Sequence, residues 1–314
     1  MSAHEWLDTF PGVRRDEPLA RHSQFGVGGP AQWFITTKQV ATLATLLRRC
    51  SESGIVVTML GAGSNALISD GGVDGLVVRH DDRTMRVLDA HAVELGGGCM
   101  MPRVALDCAS RGIAGLEFGI GVPGTLGASV SGNAGAFGTE IAGVLIDCTA
   151  LAPDGSLVTL DATECGFAYR TSRFKGDLFG HVVVGAHVRV HPDEPARVRE
   201  RTNAVQADRK AAQPYGVRSL GSVFKNPPGD KAGRLIEAAG LKGRRAGGAQ
   251  ISPKHANFIV NVDHASAGDV MALVQTASEE VLRKFDVTLE REIILVGKGA
   301  PTPASLPVWG TGDA

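Results

Sequence analysis

Glycine constrains this chain more than any other feature. It supplies 41 of 314 residues, well above the roughly 7% of an average protein, and it crowds between residues 26 and 138. Each glycine gives up extra backbone entropy on folding. A stretch this rich, without low-complexity repeats, needs tight turns or close approach of backbone to a ligand. Tight turns in a β-rich domain remain the plain alternative.

Two loops carry most of the density. The first, Gly61-Ala62-Gly63-Ser64-Asn65-Ala66, follows the apolar run 55–60 and matches the dinucleotide fingerprint G-x-G-x-x-G/A, with Asp81 and Asp82 about 20 residues on. That fingerprint requires a helix to start within the loop. Here Asp70-Gly71-Gly72 interrupts after three residues, and no crossover helix fits before the next strand at 75–79. The loop is instead expected to offer backbone N–H groups, Ser64 and Asn65 to a phosphate or pyrophosphate. The second loop, 119–138, repeats the logic on a larger scale with Gly121, Pro123, Gly124, Thr125, Gly127, Ala128, Asn133 and Gly135, and suits an elongated cofactor.

Bulk properties narrow the ligand classes. A net charge of -1 and a pI of about 6.8 provide no global basic field for nucleic acid or an anionic membrane, so local groups must bind any phosphate. The five cysteines include no C-x-x-C pair and read as reduced thiols, without a disulfide framework or zinc site. The nine histidines lack metal-ligand spacing, and no metal is expected. The start of the chain carries no basic-then-apolar leader, and no stretch reaches the roughly 18 apolar residues of a spanning helix. A cytoplasmic location is the expectation. P-loop, H-E-x-x-H and G-x-S-x-G motifs are all missing.

Periodicity gives the outline. Residues 38–53 place Val40, Leu43, Leu46 and Leu47 on one helical face and lead through Gly54 into the buried run 55–60. Pro102 opens a short helix to about Gly112. Strands at 144–152 and 156–160 flank the turn Pro153-Asp154-Gly155, and 181–190 is a long apolar strand. Residues 193–213 are polar and helix-competent, a connecting segment. Ser266 with Asp269 forms a capping box ahead of Val270, Leu273, Val274, Ala277, Val281 and Phe285 at helical spacing. Strands 257–262 and 287–296 flank that helix, with Glu290 and Glu292 on the face opposite the main apolar stripe.

Taken in order, several segments resemble the UDP-N-acetylmuramate dehydrogenase family, also called UDP-N-acetylenolpyruvoylglucosamine reductase. They are the 60–65 loop, the 122–127 and 133–138 segments, Phe167-Ala168-Tyr169-Arg170 with 171–174, Gly221-Ser222-Val223-Phe224-Lys225-Asn226-Pro227, and 232–243 through 255–261 to 289–293. The resemblance spans residues 18–297. It implies an α+β protein in which a two-part FAD-binding domain of the vanillyl-alcohol-oxidase type precedes a C-terminal α/β substrate-binding domain. The expected division is a segment at 1–17, FAD subdomains at 18–80 and 81–200, a substrate domain at 201–298 and a disordered tail at 299–314.

The same resemblance implies non-covalent FAD, NADPH as electron donor, and reduction of the enolpyruvyl ether of UDP-GlcNAc to UDP-N-acetylmuramate for peptidoglycan, with small molecules as the partners. Arg170 and Glu292 are then expected to hold and polarise the substrate carboxylate, and Ser222 to deliver the proton; Tyr169, Arg209, Lys225, Asn226 and His255 are expected to contact substrate. Arginine suits the first role because its planar fork binds an oxyanion bidentately and stays charged. The sequence departs from the family at Phe137, where tyrosine is common, at Ala128, a frequent glycine, and at Ala212, usually lysine, with Arg209 or Lys210 as replacement charge.

Overall fold

The 40–52 region forms a helix as its apolar spacing requires: Val40–Glu52 buries Leu43, Leu46, Leu47 and Cys50. Those side chains pack against Trp33, Ile35, Leu76 and Val78 of a sheet. In this computed structural model, which describes residues 4–299 and the backbone of 308–309, the sheet runs in the order Arg14–Pro18, Pro30–Thr37, Val73–His80, Val57–Met59, Val308–Trp309. Its three central strands are parallel and its two outer strands antiparallel to them. Residues 1–17, read from sequence as a separate segment, therefore supply an edge strand, and Trp33 Nε1 donates to Asp8 at 2.8 Å. Of the tail at 299–314, only Gly299 and the Val308–Trp309 strand lie among the described residues.

The second unit is an antiparallel sheet ordered Leu157–Asp161, Leu145–Leu151, Val182–Arg189, Ala92–Gly96, Met85–Val87. Helices Met101–Ser110 and Leu126–Ser131 cover it. The two sheets meet where Leu151, Val182 and Val184 join the core under the 40–52 helix. Helix Pro195–Ala212, expected as a connection, packs on the 101–110 helix and the 117–121 turn. It crosses the expected boundary at 200/201 without a break.

The third unit is a four-stranded antiparallel sheet, Ser219–Ser222, Phe258–Asn261, Ala249–Ile251, Arg245–Ala246. Helices Ala232–Ala238 and Ala267–Phe285 pack on it, the latter with the capping box formed as expected. The core of this unit also holds Phe25, Val27 and Leu67 from the first unit. The run 287–296 is ladder-paired only at Ile294–Val296, and its partner is Ala66–Ile68 in parallel register. The end of the third unit is thereby stitched to the segment after the first glycine loop. All five cysteines are buried and free.

Candidate active site

The units converge on a cavity of about 950 Å³, at the upper end of the range for ligand sites. Its wall draws on the first glycine loop, the second glycine loop, the 169–175 segment, the 219–226 segment and Glu292. The carboxyl ends of the parallel strands 57–59 and 73–80 open onto it, the usual position for a ligand in such a sheet.

Ser222 reaches this wall through a bulge. Ser219 pairs with Val260 and Ser222 with Phe258, so three steps on one strand oppose two on the other. Gly221 absorbs the extra residue at φ +74°, and the bulge re-aims the side chain that follows. Val223 and Phe224 are then fixed on both sides. Phe224 N–H donates to Asn257 Oδ1 at 2.9 Å and Val223 N–H to the Asn257 carbonyl at 2.8 Å, while the Val223 carbonyl accepts from Glu292 N–H at 2.9 Å. One backbone hydrogen bond thus sets Glu292 beside the serine segment.

Arg170 lies at the tip of a two-residue turn closed by paired hydrogen bonds between Ala168 and Thr171. Its φ of +58° is a left-handed conformation that costs an L-residue roughly 1–2 kcal/mol. The surroundings hold it there. Its Nε lies 3.1 Å from Glu292 Oε1, its Nη2 donates to the Gly135 carbonyl at 3.1 Å, and Lys175 Nζ donates to the Arg170 carbonyl at 2.9 Å. Burial raises the Glu292 pKa above its ordinary 4.5, and Arg170 and Lys175 pull it back. Burial also lowers the Lys175 pKa. Lys175 was missed from sequence because nothing local separates a lysine after Arg173-Phe174 from a surface residue.

The cavity collects most of the expected residues. Gly61, Ser64, Asn65, Gly121, Pro123, Gly124, Thr125, Gly127, Ala128 and Gly135 line it, as do Tyr169, Arg170, Arg209, Ser222, Asn226, His255 and Glu292. Ala62, Gly63, Ala66, Asn133 and Lys225 are absent from the wall. A Cβ on Gly63 would sit 2.2 Å from the His22 carbonyl oxygen, so that glycine permits packing rather than ligand approach. Asn133 is 1% exposed and bonds Glu140, the Ala168 carbonyl and Ala142 N–H. Lys225 turns to Glu290 at 2.5 Å. Of the two expected replacements for the charge missing at Ala212, Arg209 lines the cavity and reaches the Ile120 carbonyl at 3.1 Å, whereas Lys210 lies over the Tyr215 ring.

A family model described as the C-terminal domain of UDP-N-acetylenolpyruvoylglucosamine reductase matches residues 213–296, and one described as an FAD binding domain matches residues 31–161. UDP-N-acetylenolpyruvoylglucosamine reductase 2 of Symbiobacterium thermophilum is 43% identical over 289 residues, covering 91% of this chain and 93% of that protein. This chain belongs to the UDP-N-acetylenolpyruvoylglucosamine reductase family. The Rubrobacter xylanophilus reductase is 40% identical over 92% of the chain and 97% of its own length. The crystal structure of the Thermus caldophilus reductase superposes with a TM-score of 0.76 at 33% identity, over 90% of this chain and 98% of that one. With its family, the chain is an FAD-dependent oxidoreductase with the two-part FAD domain and C-terminal domain described above.

The cavity fits that cofactor. A Cβ on Gly61 would lie 2.9 Å from Thr125 Oγ1 and one on Gly121 2.9 Å from Ala136 Cβ, whereas one on Gly124 would stand 3.7 Å from Ser64 Oγ. The two glycine loops therefore pack against each other at Gly61–Thr125 and Ser64–Gly124, and Gly61 and Gly121 leave no room for a side chain. Both loops, with Ser64, Asn65 and Thr125, line the cavity.

Proposed function

We propose that this chain reduces the enolpyruvyl group of UDP-GlcNAc-enolpyruvate to UDP-N-acetylmuramate in peptidoglycan synthesis, with NADPH as electron donor, Ser222 as proton donor and the cytoplasm as its location. The observation that carries the reading is the Arg170–Glu292 pair, 3.1 Å apart, in the same cavity wall as Ser222 and the two glycine loops. Bound FAD supplies the hydride. The residues answer what hydride addition demands of the substrate.

Hydride arriving at the β-carbon of an enolpyruvyl group leaves charge at the α-carbon, spread into the carboxylate. Arg170 binds and polarises that carboxylate, a fixed cation aimed where charge develops. Glu292, with its pKa raised by burial, keeps Arg170 oriented and tolerates a second carboxylate nearby. Ser222 gives its proton to the α-carbon. Arg209, Asn226 and His255 lie in the wall for the nucleotide-sugar portion. Burial lowers the His255 pKa and so favours the neutral ring, whose Nδ1 accepts from Asn257 N–H at 3.2 Å.

Rapid mixing without oxygen tests the assignment. In Ser222→Ala, NADPH should reduce the flavin at close to the normal rate, and substrate should reoxidise it about 10²–10⁴ times more slowly. Two unchanged half-reactions would remove Ser222 from the role.

A further inference from the structure

Asn133 is held in the left-handed region, at φ +43°, between the 126–131 helix and the Gly135–Ala136 strand. It is 1% exposed and absent from the cavity wall. A strained backbone and a buried polar side chain are both unfavourable unless their neighbours compensate, and here the side chain supplies the compensation. Its Oδ1 accepts from Ala142 N–H at 3.0 Å. Its Nδ2 donates twice, to Glu140 Oε2 at 2.9 Å and to the Ala168 carbonyl at 3.1 Å, which uses both hydrogens of the amide.

Both acceptors lead to Arg170. The Ala168 carbonyl also accepts from Thr171 N–H at 3.1 Å, one of the two bonds that close the turn with Arg170 at its tip. Glu140, with Oε2 taken by Asn133, presents Oε1 to Arg170 Nη1 at 3.8 Å. The strand pairing that sets Glu140 opposite Gly135 also places the Gly135 carbonyl that Arg170 Nη2 uses. A single amide therefore ties the turn that carries Arg170 to the hairpin that receives its guanidinium. Ser172, two residues on, is docked separately, its Oγ donating to the Ser131 carbonyl at 2.7 Å. Loss of the Asn133 amide thus loosens the tip of the turn without undocking the segment.

We propose that Asn133 is a positioning residue for Arg170, acting through the Ala168 carbonyl and Glu140 and touching neither cofactor nor substrate. The inference rests on the proposed role of Arg170 at the substrate carboxylate. Arginine at φ +58° relaxes toward ordinary backbone angles when a hold on its turn is removed. A shift of about 1 Å in a group that meets developing charge slows a reaction by up to about a hundredfold.

A double-mutant cycle read by rapid mixing without oxygen tests this. Asn133→Gly suits the left-handed backbone and removes the amide. It should purify with FAD, take electrons from NADPH at close to the normal rate, and be reoxidised by substrate about 10–100 times more slowly. In the Arg170→Ala background the same substitution should have no further effect, because its action passes through Arg170. Asn133→Asp keeps the acceptor for Ala142 N–H and loses the two donors, so it should reproduce the slowing, and it carries the cycle if Asn133→Gly fails to hold FAD. The proposal is overturned by normal reoxidation in the single variants, by an added loss in the double variant, or by failure of both Asn133 variants to hold FAD. Normal reoxidation in Arg170→Ala would refute the role of Arg170 itself, and the inference with it. Slow reoxidation in Arg170→Ala beside a normal rate in Asn133→Gly would remove the positioning role alone.

Discussion

Gly221 and Gly63 are both left-handed, at φ +74° and +61°, and they should respond differently to a methyl group. No atom lies within 4 Å of a Cβ at Gly221, so Gly221→Ala meets backbone strain alone, about 1 kcal/mol by urea denaturation. Its kcat should fall further than that loss suggests, because the bulge aims Ser222. At Gly63 the methyl collides with the His22 carbonyl, and the 61–66 loop must shift. Gly63→Ala should therefore release FAD, seen as loss of the visible absorption of the purified protein. Glycine density showed where the loops were but not which glycines faced a ligand, because backbone contact with a distant segment such as 22–23 leaves no mark in the sequence nearby. Acid should weaken the apoprotein through His80 and His255. Their folded pKa values lie below the ordinary 6.5, so just below pH 6.5 the unfolded chain binds protons that the native one does not, and stability falls as pH falls. Glu292 runs the other way: its raised pKa adds stability that is complete below 4.5 and lost as pH rises through its folded value. Urea midpoints measured from pH 7.5 down to 5.5 should decline, and less steeply in His80→Leu.

At the scale of elements, the Ala267–Phe285 helix has two sources of N-terminal support. Its own capping box joins Ser266 and Asp269. Asp70 adds a second by accepting from Ala267 N–H at 2.9 Å and Gly268 N–H at 3.2 Å. Asp70→Ala should cost about 1 kcal/mol, near the value of a lost cap, measured as a lower urea midpoint. The capping box was legible because its residues are neighbours in sequence. Asp70 was not, since it lies 197 residues from Ala267. The 195–212 helix shows another limit. It buries only Val198 and Thr202, so its sequence is polar nearly all round and resembles a linker, although Arg209 on it reaches the cavity. The strand expected at 287–296 shortened to three residues because its earlier part bonds the Ser222 segment, through Glu292 N–H to the Val223 carbonyl and Lys225 N–H to the Glu290 carbonyl.

Across the whole molecule, the ordered motifs were sufficient to read the FAD domain and its C-terminal partner, and insufficient to show how far the two share a core. Phe25, Val27 and Leu67 belong to the C-terminal core, and Ile294–Val296 pairs with Ala66–Ile68. A fragment of residues 213–298 loses all of those contacts. It should show no cooperative unfolding transition by circular dichroism, whereas the full chain should unfold with one. The same stitching has a consequence for the order of events in the cell. Asn65, in the first glycine loop, donates its side-chain amide to the Glu292 carbonyl at 2.8 Å, a partner 227 residues later in the chain. A ribosome-bound chain lacks that partner until nearly all of the described residues have been made. On the proposed placement of FAD, flavin capture is expected to follow synthesis of the C-terminal domain, and a chain cut short before residue 292 should purify colourless.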